Sequence, residues 1–213
     1  MKCMMVAVAV FLAATTHAGV VVEVVITGQV EFNQISAPPL GLMNTNDAIE
    51  ISFLLDSDDF VNGTSFPTRG YVIDQASFSF TAGAASLGLQ NPYAGTPYFI
   101  LRDNDPAADG FLFGTDPDVG FPNGIGLDQA GIFEDFRANY SVTYEGDTLS
   151  SLDILDAVGT YDFTGLTVFG FGILDGPFDA AGFIFEQMTI TAIPAPAALA
   201  VLAPFGLVAR RRR

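Results

Sequence analysis

Tryptophan is absent from this chain of 213 residues, and lysine, histidine and cysteine occur once each. The three single residues, Lys2, Cys3 and His17, all fall within the first eighteen positions. Between Gly19 and Ile193 the only basic residues are Arg69, Arg102 and Arg137, while all 24 acidic residues remain, so this stretch carries a formal charge of −21. Each absence closes a class of chemistry. Without histidine or cysteine there is no Ser-His-Asp triad and no Cys-His pair. Zinc and copper sites built on imidazole or thiolate are excluded with them. Without lysine there is no Schiff base and no phosphate-loop lysine. No disulfide can form in this stretch. The charge repels DNA, RNA and anionic membrane surfaces, so no nucleic-acid partner is expected.

The two ends differ from the body. Lys2 is followed by an apolar stretch over residues 4–14 and then by Thr15, Thr16, His17 and Ala18. A charged start, a short hydrophobic region and small residues before a cut make a secretory signal peptide over residues 1–18. Thr16 and Ala18 are the small residues, and cleavage is expected between Ala18 and Gly19. At the other end, Pro194-Ala195-Pro196 precedes an apolar run of 13 residues, 197–209, and then Arg210, Arg211, Arg212 and Arg213. As a helix the run would reach roughly 20 Å, short of a hydrocarbon core of about 30 Å. Pro204 would kink it. Such a span suits a temporary anchor, and the arginines favour its cytoplasmic side.

The order of these parts, residues 193–213, resembles the PEP-CTERM sorting signal of Gram-negative bacteria. There a Pro-Glu-Pro motif precedes a short hydrophobic helix and an arginine cluster. Here Pro194, Ala195 and Pro196 hold the motif position, with Ala195 where the family usually has Glu. The resemblance implies recognition by an exosortase-type sorting enzyme, transient anchoring in the membrane, and association with exopolysaccharide. It implies a destination at the cell surface or in the extracellular matrix, and no catalytic activity.

The body, residues 19–192, reads as one domain dominated by alternation. Val22, Val24, Ile26, Val30 and Phe32 share one parity, with Glu23, Thr27, Gln29 and Glu31 on the other. Ile49, Ile51, Phe53 and Leu55 repeat the pattern, as do Tyr140, Val142 and Tyr144. A period of two places one set inward on a strand. The pairs Phe78 and Phe80, Phe111 and Phe113, Phe169 and Phe171, and Phe183 and Phe185 are each expected to share a sheet face and to form core. Turn signals such as Asn62-Gly63, Ala82-Gly83 and Asp175-Gly176-Pro177 separate the runs. Strands are predicted near 20–32, 48–56, 70–81, 97–102, 110–114, 138–145, 163–171 and 182–192. Together they predict an all-β fold, an antiparallel β-sandwich with the jelly roll as one form, followed by a short C-terminal hydrophobic helix. Leucine spacing over 147–158 predicts a short helix capped at Asp147 or Ser150.

Oxygen chemistry is what survives. Calcium takes oxygen ligands, and the run Asp103, Asn104, Asp105 with Asp109 is the strongest cluster, though Ala107 breaks the calcium-loop spacing. The alternative there is a solvated acidic turn. No organic cofactor is expected. These features predict a non-catalytic exported surface or matrix protein. A carbohydrate-binding jelly-roll module is the alternative, with Tyr71, Tyr93, Tyr98 and Tyr161 as its candidate platform. A carboxylate-dependent glycan hydrolase or lyase is the third reading.

Overall fold

The computed structural model describes residues 19–104, 108–118 and 123–194. The expected signal segment with Thr16 and Ala18, the calcium candidate Asp105, and the tail from Ala195 to Arg213 with its expected helix lie outside these residues. The described chain is all-β and antiparallel. Its strands are β1 (Val21–Asn33), β2 (Ala48–Asn62), β3 (Thr68–Ile73), β4 (Ser79–Ala82), β5 (Ala85–Leu87) and β6 (Tyr98–Arg102). They continue as β7 (Ala108–Gly114), β8 (Ile125–Ala130), β9 (Asp135–Glu145), β10 (Gly159–Tyr161), β11 (Leu166–Asp175) and β12 (Asp179–Ile193).

Eight strands close a ring. Around it run β1, β2, β3, β6, β7, β9, β11 and β12, and β12 returns to β1. Val24 shows the closure, facing Phe53 on one side and Ile190 on the other. Each ring strand pairs with the ring strand that follows it in the chain, so this is an up-and-down barrel. The expected sandwich and jelly roll are corrected by that ring. A jelly roll needs Greek-key connections between strands distant in sequence, and a sandwich leaves sheet edges that pairing of β1 on both sides removes here.

The barrel forks. One half of β2 pairs with β4 at Ile49–Ser52, and the other pairs with β3 through Phe60, Val61 and Asn62. β9 divides the same way, meeting β8 near Ala138 and β7 from Ser141 onward. β5 reaches β8 through a single bridge, Leu89 to Leu127. The bridge is held by Gln90 N–H to the Gly126 carbonyl at 3.2 Å and Asp128 N–H to the Gly88 carbonyl at 3.0 Å. A second path across the wall therefore runs from β2 through β4, β5 and β8 to β9. The predicted strand 70–81 is two strands, because Asp74 turns the chain by accepting the Ser77 N–H and the Ala76 N–H.

Aromatic rings fill the interior. Phe53 meets Phe78, Phe99 and Phe113 with centroids 5.4–6.1 Å apart, and Phe80 stacks on Phe183 at 5.7 Å. Each fully buried aromatic adds about 1.5–3 kcal/mol of transfer free energy. Three of the four Phe pairs lie wholly in this core. In the fourth, Phe171 is buried and Phe169 is 41% exposed. Phe32 also departs from its parity. A register shift between Val30 and Phe32 turns it outward, and its ring covers Gly182, which has no room for a Cβ.

Loops close both ends. Residues 34–47 bring Ile35, Leu40 and Met43 into the core beside a single 3-10 turn, Leu40–Leu42. At the opposite end residues 147–158 insert Leu149, Ile154 and Ala157. This loop replaces the predicted short helix. Its backbone is held by other partners: Asp109 accepts the Leu149 N–H, and the Tyr71 hydroxyl accepts the Ile154 N–H and donates to the Leu152 carbonyl.

Candidate functional site

The fork leaves a groove on the barrel wall beside β5 and β8. It comprises two adjoining hollows of about 720 Å³ and about 500 Å³ that share Gln90, Ala94 and Asp135. The Leu89–Leu127 bridge runs along it, and its polar side chains come from four places in the chain. Gln75 precedes β4, Gln90 and Asn91 follow β5, and Asp128 and Gln129 lie on β8, opposite Asp135 at the start of β9. Gln90 Nε2 donates to Asp135 Oδ2 at 2.9 Å, which orients both groups. Two glycines keep the groove open. A Cβ on Gly126 would meet the Gln90 amide at 2.7 Å, and one on Gly88 would meet the Asp128 carboxylate at 3.2 Å. Amides and carboxylates at these positions can donate to and accept from hydroxyl groups.

Tyr93 lines the second hollow. Its hydroxyl accepts the Gly126 N–H at 2.8 Å. Burial pushes this phenol above its ordinary value of 10.0, against the opposing effects of the Gly126 bond and Arg137. The other candidate tyrosines are placed differently. Tyr71 is fully buried, and its hydroxyl is used by the 147–158 loop, so it is no platform. Tyr161 packs on Phe111 at 4.7 Å and donates to the Ala157 carbonyl. Tyr98 lies across Gly70 on the barrel wall. Only Tyr93 of the four belongs to the groove.

Of the calcium candidates, Asp103 and Asp109 are described, and both take part in hydrogen bonds within the chain. Asp109 is fully buried and accepts the Asn104 N–H at 2.8 Å and the Leu149 N–H at 2.6 Å. Asp103 is held above the ordinary 3.8 by burial and by the charges of Asp109 and Asp147, opposed by its bond from Asn104. Among the described residues no three His, Cys, Asp or Glu side chains gather as a metal site. Asp118 accepts the Thr64 and Ser65 N–H groups and ties two loops, and these bonds lower its pKa.

One residue of the expected cleavage site, Gly19, is described. Gly19 lies against the Asp56 carboxylate, close enough that a Cβ would collide with it. Ordinary bond lengths of about 1.5 Å then put the Gly19 nitrogen within about 5 Å of that carboxylate. Val20 fixes the approach, donating to Ser57 Oγ at 2.9 Å and accepting the Ser57 N–H at 3.0 Å. Pro194 ends the described chain after β12, beside the start of β1.

The groove was not legible from sequence. Its side chains are isolated polar residues separated by tens of positions, and only Gly88 and Gly126 hint at a close approach. Comparison of the chain with protein-family models, with curated proteins and with solved structures finds no match.

Proposed function

We propose that this chain is a non-catalytic exported protein of the cell surface or extracellular matrix. It is sent across the inner membrane by residues 1–18 and sorted by residues 193–213. An exosortase-type enzyme reads Pro194, Ala195 and Pro196 while the apolar run holds the chain in the membrane. Released, the acidic barrel joins the exopolysaccharide layer. The observation that carries this reading is the pairing of an export signal and a sorting-type tail around a body without lysine, histidine or cysteine. The position of Gly19 adds support: a new α-ammonium there would meet Asp56, an attraction absent while the peptide bond to Ala18 persists. Removal of residues 193–213 is the test. The truncated chain should collect as soluble protein between the membranes, while the full chain passes through a membrane-bound stage to the surface. Identical fractionation of the two would refute the sorting role.

The groove favours a second reading, a module that binds neutral glycans. Its amides and carboxylates suit hydroxyl groups, Tyr93 adds an aromatic wall, and the surrounding charge disfavours anionic polymers. Titration calorimetry with neutral oligosaccharides tests it, with Gln90→Ala and Asp128→Asn as the variants. Binding that both variants weaken supports the module, and no heat with any neutral glycan removes it. Shortening of the oligosaccharide during the titration would instead support the carboxylate-dependent hydrolase.

A further inference from the structure

The start of β1 is fastened within two residues of the expected cut. Both backbone groups of Val20 are bonded to Ser57. Val21 then pairs with Asp56 of β2 on one side and with Ile193 of β12 on the other. These are the contacts that close the ring. Gly19 lies just outside them. A Cβ there would collide with the Asp56 carboxylate and meet the Asp58 backbone nitrogen at 3.0 Å, so only glycine fits without moving the acid. Asp56 Oδ1 accepts the Asp58 N–H at 2.9 Å, which holds the half-buried carboxylate in place.

The charges beside Gly19 have one sign. They are Asp56 and Asp58 on β2 and Glu23 on β1, while β12 brings uncharged Thr191, Ala192 and Ile193 to the same stretch. A cation at this place is therefore attracted, and the neutral peptide of the uncleaved chain is not. Composition adds a second fact. Lys2 is the only lysine, so a chain that begins at Gly19 carries a single amine, its own α-amino group.

Resting on the export reading above, we infer that Asp56 is the receptor for the new N-terminus, and that cleavage strengthens the barrel by pinning β1 to β2 at the ring closure. Hydrolysis adds water across the Ala18–Gly19 bond, leaving a carboxylate on Ala18 and a protonated amine on Gly19. That ammonium pairs with Asp56. The precursor has an amide at this position and lacks the pair, so the barrel gains stability only when residues 1–18 are removed.

The exported protein recovered from the producing cells tests this, after mass spectrometry has identified its first residue. Acetylation of its one amine restores a neutral amide, whereas reductive methylation keeps the positive charge. Acetylation should lower the melting temperature by about 1–3 °C near pH 6, and methylation should not. Pairing raises the folded value of the amine. The gap is therefore complete below the unfolded value of about 8 and closes as pH rises through the folded one. Followed by carbon-13 NMR, the methylated amine should titrate about half a pH unit higher in the wild type than in Asp56→Asn, which keeps an oxygen for the Asp58 N–H. If that variant does not fold, the two chemical forms of the wild type decide alone. A chain that begins at Gly19 yet melts alike with and without acetylation, or titrates alike in both proteins, overturns the inference and leaves the export reading standing. A chain that still carries Lys2 overturns both.

Discussion

Asp175 is fully buried, yet its carboxylate has three partners: the N–H groups of Ile132, Phe133 and Glu134, at 2.8–3.1 Å. Burial alone would raise its pKa, and the three backbone bonds outweigh it and hold the group below the ordinary 3.8. The residue thus clamps the β8–β9 turn against the β11–β12 turn, where Phe133 and Phe178 pair at 5.2 Å. Asp175→Asn should cost about 1–3 kcal/mol in denaturant unfolding near neutral pH, because one amide N–H₂ replaces an acceptor among donors. Since the folded value is depressed, the contribution is complete above the unfolded value. It fades as pH falls below 3.8 and through the folded value. The gap between wild type and variant should therefore shrink in acid. A gap that does not change with pH would contradict the charged clamp. The sequence marked this turn through Asp175-Gly176-Pro177, and Gly176 does take a positive φ of 63°. It did not mark the clamp, which joins residues more than forty positions apart.

At the scale of elements, alternation located the long strands because one face of each meets the aromatic core. Val22, Val24, Ile26 and Val30 are buried as their parity requires. Phe32 was misread because a bulge shifts the register by one, and a bulge has no fixed signature in a single sequence. β5 and β10 have three residues each, too few to show a period. The leucines of 147–158 imitated a helix because they serve a plug whose backbone is claimed by Asp109 and Tyr71. The fork makes a prediction of its own. Leu127→Ala removes a fully buried side chain from the bridge and should cost about 2–5 kcal/mol. Hydrogen exchange should speed at the Gln90 and Asp128 amides while β3, β6 and β7 stay protected. Uniform loss of protection would mean that the β4–β5–β8 branch does not open separately from the barrel.

For the molecule as a whole, ring closure depends on β1 meeting strands at both ends of the body, which no local pattern records. Its core holds phenols as well as phenylalanines. Burial pushes Tyr140 and Tyr144 well above the ordinary 10.0, and Tyr161 to about 12. These groups ionise first in the unfolded chain. Their contribution is intact below pH 10 and is lost as pH rises toward the folded values. Thermal stability should fall above that point, with tyrosinate absorbance rising as the barrel opens. Tyrosinate appearing near the ordinary value with the fold intact would contradict the packing. Export followed by removal of both ends is tested most directly by mass spectrometry of the chain recovered outside the cell. It predicts a protein that begins at Gly19 and ends before Arg210. An intact C-terminus at Arg213 would contradict it.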